Sequence, residues 1–293
     1  MTIDGKRVAE EIQEQVRLEA EGLRRQGVEP TLAPVLVGEN PGAKVYFRTK
    51  RRLAEKLGIR FRGVELPADI SQEELVRTLR ELGQDKNVHG LSVELPLPKQ
   101  LDFHRIAQEI RPEKDVDCIH PKNLGKLLFG GAASSTYTEL RAREDMFFPT
   151  TAQAVMELLR AYKVSLVGKE AVVVGGGAVG LPLSVLLLRE GLSAVTVCDR
   201  NTPDLGAVTK RADVLCVAVG RPKFIRGDMI KKGAVVIDVG INPTPDGIVG
   251  DVDFDSAKEV ASYITPVPGG VGPVTTALIM AHTVQAAKGL INA

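Results

Sequence analysis

Strand-like and helix-like segments alternate along almost the whole chain, and this rhythm constrains the fold more than any other feature. Amphipathic runs predict helices near residues 4–25, from PGAKVYFRTK onward and at SQEELVRTLREL. Strands are expected at TLAPVLV, FRGVEL, VHGLSVEL, AVVV, AVTVC, VLCVAV and AVVIDV. The last four runs are apolar almost throughout, which is typical of strands buried on both faces. A βαβ order of this kind predicts an α/β fold with parallel sheets.

The composition favours two domains that act on a small molecule. The chain has 293 residues, of which 44% are hydrophobic, enough to fill two cores. Its formal net charge is +1, so it lacks the basic surface that would favour nucleic acid or an anionic membrane, and we expect neither partner. No apolar run approaches the roughly 18 residues of a membrane span, and the N-terminus is charged from the start. We therefore expect neither an anchor nor a signal peptide.

The cysteines predict a reduced, cytoplasmic protein. Cys118, Cys198 and Cys216 are odd in number, and none has a second Cys or a His at metal-ligand spacing. Neither a disulfide framework nor a tightly bound metal is expected from this pattern.

Two stretches bear on the domain organisation. Residues 129–145 are rich in Gly, Ser, Thr and charge without a clear period, and we interpret them as a surface loop or linker near a domain boundary. The last helix is predicted over residues 273–288, because a Pro in the first turn and preceding glycines favour a sharp helix start.

The best local motif is the glycine turn in KEAVVVGGGAVGLPLSV. Gly175, Gly177 and Gly180 form G-x-G-x-x-G between a predicted strand and a predicted helix, the context of a dinucleotide-binding turn. Asp199 ends the next predicted strand, about where an acid would accept from a ribose hydroxyl. A carboxylate there repels a 2′-phosphate and favours NAD, although Arg200 and Arg221 can offset it. The alternative is a glycine turn without a ligand.

Tyr46 and Lys50 are four residues apart on a predicted helix and therefore share a face. One interpretation is a helix flank, with the Tyr stem covering apolar surface beside a Lys. The other is a site in which the phenol offers a flat apolar face and the Lys acts in proton transfer.

Several ordered blocks carry a resemblance to a known family: DGKRVAEE, VGENPGAKVYFRTKR, LPLP, PEKDVD, HPKNLGKL, GRPKFI, GAVVIDVGIN, GDVDF and TPVPGGVGP. Over nearly its whole length the chain resembles the bifunctional methylenetetrahydrofolate dehydrogenase/methenyltetrahydrofolate cyclohydrolases. The resemblance implies an α/β folate domain over residues 1–122, completed by the C-terminal helix within 270–293. It also implies a Rossmann-like NAD(P)-binding domain over 146–269, with 123–145 as the connection, and a homodimer formed through the cofactor domain.

The resemblance assigns roles to individual residues. Tyr46 would stack on the p-aminobenzoyl ring of tetrahydrofolate, Lys50 would stand beside the one-carbon bridge, and Asp117 would accept from the pterin. Glu94 would lie next to Lys50 as a fourth catalytic position. Further substrate contacts are expected from Pro268, Gly269, Gly270 and Thr275. Besides the glycine turn, Asp199 and Arg200, cofactor contacts are expected from Gly220, Arg221 and Ile241.

The departures from the family pattern concern both activities. The family usually has Gln where Glu94 stands, and a carboxylate there would favour the charged form of Lys50 and weaken hydrolysis of the methenyl intermediate. The same carboxylate would equally stabilise the cationic methenyl product. The glycine turn is one residue shorter than usual and lacks the Arg and Ser that hold NADP, which favours NAD or a loss of cofactor binding. Cys118 replaces a common Gly, and Thr150 and Ala152 alter a common Pro-Cys-Thr-Pro turn.

Three functions therefore compete. The first is a methylenetetrahydrofolate dehydrogenase, with or without cyclohydrolase activity. The second is another nicotinamide-dependent enzyme with the same two-domain plan, and the third is a non-catalytic dinucleotide or folate binder.

Overall fold

The computed structural model describes residues 1–131, 135–245 and 247–291 and divides into two compact units. The N-terminal unit comprises Glu10–Lys126, Glu144–Thr150 and Thr276–Ala293. The central unit comprises Met1–Ala9, Leu127–Arg143 and Thr151–Thr275. Each unit contains a parallel sheet and helices, which confirms the predicted two-domain α/β fold.

Helices and strands alternate along much of the chain, as predicted. The helices are α1 Gly5–Arg25, α2 Pro41–Leu57, α3 Gln72–Gln84, α4 Phe103–Glu109, α5 Pro121–Phe129, α6 Tyr137–Leu140, α7 Thr150–Ala161, α8 Gly180–Arg189, α9 Leu205–Thr209, α10 Phe254–Ala257 and α11 Val271–Ile291. The strands are β1 Thr31–Val37, β2 Arg60–Phe61, β3 Val64–Leu66, β4 Gly90–Val93, β5 Glu170–Val174, β6 Ala194–Cys198, β7 Val214–Val217, β8 Val235–Asp238, β9 Asn242–Thr244, β10 Gly247–Val249 and β11 Tyr263–Ile264.

The sheet of the N-terminal unit is built around β1. This strand is buried along its whole length, pairs with β4 on one side and with β2 and then β3 on the other, and all pairings are parallel. The run FRGVEL thus forms two short strands rather than one. A Cβ at Gly63 would lie 2.4 Å from the Phe47 ring, so glycine is needed where the chain passes α2 between these strands.

The last helix completes the core of the N-terminal unit. Ile279, Met280, Val284 and Ala287 of α11 pack in one buried cluster with Leu32 of β1. Because a buried aliphatic side chain stabilises a fold by roughly 2 kcal/mol, α11 is an integral part of this unit. The helix begins at Val271, two residues before the predicted start, so Pro273 lies in its first turn.

The sheet of the central unit is entirely parallel, with strand order β11–β8–β7–β5–β6. Strands β5, β7 and β8 are buried almost throughout, as predicted. The same prediction is wrong for β6, because it is an edge strand in which Ala194 and Val197 are exposed. An antiparallel pair, β9 with β10, follows β8 and was not predicted.

Residues 129–145 are not one irregular loop, although 132–134 lie outside the described residues. Thr136 and Glu139 cap the short helix α6 reciprocally, and Tyr137 and Leu140 are buried. The Tyr137 hydroxyl donates to Glu157 of α7 at 2.7 Å, and the guanidinium of Arg189 donates to main-chain carbonyls of Leu127, Leu128 and Ser135. These bonds fix α6 to the central unit, whereas residues 144 and 145 belong to the N-terminal unit.

Across the described helices, none combines the length and the apolar character that a membrane crossing requires.

Candidate active site

Helix α2 carries the first two residues of the candidate site. Asn40 caps its start by accepting from the Ala43 amide at 3.1 Å, Pro41 is its first residue, and Gly58 ends it in the left-handed conformation. Tyr46 is half-buried on this helix, whereas Lys50 is only 5% exposed. The interpretation of Lys50 as part of a solvent-facing flank is therefore wrong.

Lys50 forms a buried ion pair with Glu94. Its Nζ lies 2.6 Å from Oε1 of Glu94 and 3.5 Å from Oγ of Ser92, and the side chains of Lys50 and Glu94 are 7% and 5% exposed. Ser92 belongs to β4 and Glu94 directly follows that strand. The parallel register of β4 beside β1 thus brings both residues to the carboxyl end of the sheet, where α/β folds usually bind ligands.

The surroundings keep Lys50 charged. Burial alone would lower the pKa of its ammonium, but the carboxylates of Glu94 and Asp117 outweigh burial, and the pKa lies above its ordinary value. Burial also raises the pKa of Glu94, while Lys50 opposes this shift. At neutral pH Lys50 is consequently a cation that cannot accept a proton.

The block KDVD places two carboxylates close together, and the structure gives them different roles. Asp115 is fully buried and accepts from the amides of Ile119 and His120 and from Nδ2 of Asn123, so its oxygens hold the following turn together. Asp117 is half-buried and accepts from the hydroxyl of Thr150 at 2.9 Å. Of the two, Asp117 therefore has more accepting capacity left for a ligand.

Cys118 fixes the backbone beside Asp117. Its φ of 56° lies in the left-handed region that favours glycine, which agrees with the glycine that the resembling family commonly has there. The thiol is 1% exposed and donates to the carbonyl of Phe147 at 3.3 Å. This contact and the Thr150 hydroxyl both join the Asp117 turn to the 147–150 segment.

The glycine turn of the central unit has the shape of a dinucleotide-binding turn. Gly175 has φ 118°, and a Cβ there would lie 2.2 Å from the carbonyl oxygen of Ala218. A Cβ at Gly180, the first residue of α8, would lie 1.8 Å from the carbonyl oxygen of Gly175. At Gly177 a Cβ would meet no atom within 4 Å, so the space beside this residue is open, as the close approach of a pyrophosphate requires. These three glycines thus fit a dinucleotide.

Asp199 follows β6 and forms a local turn. Its two carboxylate oxygens accept from the amide and from the side-chain nitrogen of Asn201, and its own amide binds the Thr202 hydroxyl. Both Asp199 and Arg200 are exposed. Because Cys198 lies opposite Val174 in the parallel pairing of β6 with β5, Asp199 follows β6 at the same edge of the sheet as the glycine turn.

The remaining predicted cofactor residues lie on loops that follow β7 and β8. Gly220 has φ 65°, and the guanidinium of Arg221 lies 4.1 Å from the Phe224 ring centroid. Ile241 is 39% exposed, and its side chain would be 3.9 Å from a Cβ built on Gly272. All three residues therefore lie at the carboxyl edge of the same sheet as the glycine turn.

The predicted substrate loop packs against the start of α1 within the central unit. The Gly269 carbonyl accepts from the Gly5 amide at 2.9 Å, and a Cβ at Gly5 would lie 1.8 Å from the Gly270 oxygen. Gly269 has φ 109°, and the Thr275 hydroxyl donates to the Val271 carbonyl. Pro268, Gly269, Gly270 and Thr275 belong to the central unit, whereas Tyr46, Lys50, Glu94 and Asp117 belong to the N-terminal unit.

Two domain models of one protein family match this chain, and they follow one another in the order of the two predicted domains. The catalytic domain of tetrahydrofolate dehydrogenase/cyclohydrolase matches residues 3–117, and the NAD(P)-binding domain of the same enzymes matches residues 149–290. The chain belongs to the tetrahydrofolate dehydrogenase/cyclohydrolase family. The match confirms the family expected from the sequence blocks.

Relatives from several organisms match this chain over nearly its whole length. The chain is 49% identical over 288 residues to the bifunctional protein FolD of Bordetella avium, covering 98% of this chain and 96% of the relative. It is 46% identical to the FolD of Bacillus licheniformis over 292 residues, covering 99% and 98% of the two chains. The crystal structure of Trypanosoma brucei methylenetetrahydrofolate dehydrogenase-cyclohydrolase, complexed with NADP and an inhibitor, superimposes with a TM-score of 0.92 at 40% identity. That match covers 100% of this chain and 99% of the other.

The candidate folate residues and the candidate cofactor residues fall in different matched domains. Tyr46, Lys50, Glu94 and Asp117 fall in the matched catalytic domain, and the glycine turn and Asp199 fall in the matched NAD(P)-binding domain. Sequence reasoning assigned no part in the site to Ser92 beside Lys50, and it noted Thr150 only as a departure. Their roles arise from contacts between residues 33 or more positions apart, so no local pattern signals them.

Proposed function

We propose that this protein oxidises 5,10-methylenetetrahydrofolate to 5,10-methenyltetrahydrofolate with a nicotinamide dinucleotide and then hydrolyses part of the product to 10-formyltetrahydrofolate. The observation that carries this proposal is the buried pair of Lys50 and Glu94, with Asp117 and Tyr46 in the same unit, inside a matched catalytic domain. Its metabolic context is one-carbon folate metabolism.

In the oxidation, the methylene carbon loses a hydrogen together with both electrons of its C–H bond, and the bound dinucleotide supplies the acceptor. The N5 lone pair forms the new C=N bond, which leaves a cationic methenyl bridge and releases no proton. The protein therefore needs to orient the folate rather than to move a proton. Tyr46 offers its ring face to the p-aminobenzoyl group, and Asp117 accepts from adjacent N–H groups of the pterin.

The Lys50–Glu94 pair suits the oxidation better than the hydrolysis. Ammonium and carboxylate together are neutral, whereas a Gln in place of Glu94 would leave one positive charge beside the forming cation. The neutral pair therefore favours the methenyl product. Hydrolysis instead requires a water to lose a proton as it attacks the bridge, and only the small neutral fraction of Lys50 can take that proton. We infer that the second activity is slower than the first.

We further propose NAD as the preferred dinucleotide. The carboxylate of Asp199 accepts from ribose hydroxyls but repels the 2′-phosphate of NADP. Its position beside the glycine turn and the absence of Arg and Ser from GGGAVG support this preference. Arg200 and Arg221 are the residues that would offset it.

The domain arrangement and setting are part of the same proposal. We take residues 1–122 with 270–293 as the folate domain, 146–269 as the cofactor domain and 123–145 as their connection, although residues 1–9 and 270–275 pack with the central unit. A cytoplasmic homodimer that binds neither nucleic acid nor membranes fits this composition. The edge strand β6 and the exposed residues Leu181 and Leu188 of α8 support a dimer contact through the cofactor domain.

The test follows the absorbance of reduced nicotinamide and of the methenyl product separately, with 5,10-methylenetetrahydrofolate and either NAD or NADP. We expect turnover with NAD and transient accumulation of the methenyl product. The Lys50→Met variant should lose hydrolysis; unchanged hydrolysis would remove Lys50 from that step. Tight binding of folate or dinucleotide without any turnover would instead select the non-catalytic binder. Oxidation of another substrate without folate binding would select a different nicotinamide-dependent enzyme.

A further inference from the structure

Two buried aspartates of the central unit lie at the carboxyl edge of its sheet without a role in the chemistry above. Asp238 ends β8 and is 3% exposed, and Asp251 follows β10 and is fully buried. Both come from sequence blocks that carry the family resemblance, GAVVIDVGIN and GDVDF. Neither carboxylate has a Lys or Arg side chain among its hydrogen-bond partners within the described residues.

The carboxylate of Asp251 fills a nest of main-chain amides. Its Oδ2 accepts from the amides of Val219 and Gly220 at 2.6 and 2.9 Å, and its Oδ1 accepts from the Arg221 amide at 2.8 Å. Oδ1 also accepts from Nδ2 of Asn242 at 2.8 Å. Three successive amides that converge on one anion are the usual geometry of a bound phosphate or carboxylate. Here the protein supplies that anion itself.

Asp238 binds the main chain of the segment that carries Asp251. Its Oδ1 accepts from the amides of Gly240 and Asp251 at 3.0 and 2.9 Å, and its Oδ2 accepts from the Val252 amide at 2.8 Å. A Cβ at Gly240 would lie 2.2 Å from Cγ of Asp251, and a Cβ at Gly250 would lie 1.8 Å from Oδ2 of Asp238. Each aspartate thus fits against a glycine within two positions of the other, and the two segments can approach only because both glycines lack a side chain.

We propose that Asp251 is a positioning residue for the dinucleotide and that Asp238 holds it in place. Asp251 bonds both the loop after β7, which carries Gly220 and Arg221, and Asn242, which directly follows Ile241. These are three of the predicted cofactor residues, so one carboxylate fixes the two loops together. This inference rests on the proposed dinucleotide-dependent function. According to this inference, Asp251 touches neither the cofactor nor the folate and acts through the backbone of the loop after β7.

The Asp251→Asn variant tests this role, because an amide has one acceptor oxygen and turns N–H donors towards the loop amides. We expect NADH and NADPH, titrated by their fluorescence without folate, to bind about tenfold or more weakly. The KM for the dinucleotide should rise by the same factor, while the KM for 5,10-methylenetetrahydrofolate stays within about twofold. A matched control is Asp228→Asn, which alters an exposed aspartate of the same unit paired with Arg226.

A measurement on the wild-type protein keeps the proposal testable where the variant does not fold. The amides of Val219, Gly220 and Arg221 should be protected from hydrogen exchange before any dinucleotide is added, and exchange at the rate of an open loop would overturn the inference. Wild-type-like dinucleotide binding by a folded Asp251→Asn variant would also overturn it and leave the proposed function intact. A wild-type protein that binds neither dinucleotide would refute the proposed function and this inference with it.

Discussion

Nζ of Lys50 lies 2.6 Å from Oε1 of Glu94, and both side chains are almost completely buried. A buried ion pair is seldom a net source of stability, because the desolvation of both charges offsets their attraction. Its consequence here is a fixed protonation state, since the carboxylates keep the pKa of Lys50 above its ordinary value. The pair therefore bears on which of the two folate reactions this chain performs well.

The first prediction concerns Glu94→Gln, which removes the carboxylate but keeps the size of the side chain. The pKa of Lys50 should fall, because burial then acts without Glu94 to oppose it. We expect hydrolysis of methenyltetrahydrofolate to rise about tenfold and its pH profile to move to lower pH, while oxidation changes less. Steady-state hydrolysis between pH 6 and pH 9 measures this, and Glu55→Gln, at an exposed position on the helix that carries Lys50, is the control. An unchanged pH profile would contradict the charge argument.

The second prediction concerns the hydroxyl of Thr150, which orients the Asp117 carboxylate. Thr150→Val keeps the shape of the side chain and removes the hydrogen-bond donor. The loss should weaken folate binding by about 1 kcal/mol, or roughly fivefold. We expect the KM for the folate to rise by that factor while the KM for the dinucleotide is unchanged. Thr150→Ser should restore the wild-type value, and Thr78→Val, which removes a hydroxyl from α3, should have no effect. A rise in both KM values would indicate a general disturbance instead.

The third prediction concerns the choice of dinucleotide. Asp199→Ser removes the charge that repels a 2′-phosphate, so kcat/KM with NADP should rise relative to that with NAD by about tenfold or more. The ratio of the two kcat/KM values, measured at saturating folate, is the appropriate readout. Asp204→Asn provides a control, because Asp204 lies five positions after Asp199 and caps the start of α9. A constant ratio would show that Asp199 does not discriminate between the two dinucleotides.

The sequence predicted the elements with strong local signals and missed features that depend on tertiary contacts. The bounds of β1 and β6 agree with the predicted runs, because β-branched and apolar residues of that length favour strands. Helix α6 was missed although Thr136 and Glu139 form a capping box, since the segment is too short for a helical period.

Within the candidate site, the sequence predicted which residues matter but not how they are held. The four-residue spacing on α2 placed Tyr46 and Lys50 on one face, yet the burial of Lys50 arises from β4, which lies about 40 residues later. The exposed position of β6 depends on the strand order, which its own apolar sequence does not encode. Partners such as Thr150 for Asp117 likewise follow from the fold alone.

The last prediction concerns Asp238 and the dependence of stability on pH. Burial raises the pKa of this carboxyl from 3.8 to about 6 in the folded protein. Between these values the folded state binds a proton that the unfolded state has released, so the free energy of unfolding should fall as pH rises from about 4 to about 6, by up to roughly 3 kcal/mol. Asp238→Asn lacks this titration, and the difference in unfolding free energy between wild type and variant should follow the same slope in denaturant titrations.

Asp213→Asn is the informative comparison, because hydrogen bonding to Lys231 lowers the pKa of Asp213. The stabilisation that Asp213 contributes is lost as pH falls. The difference in unfolding free energy between wild type and Asp213→Asn should therefore change with pH in the opposite direction. A difference for Asp238 that stays constant from pH 4 to pH 7 would show that its carboxyl titrates alike in the folded and unfolded chains.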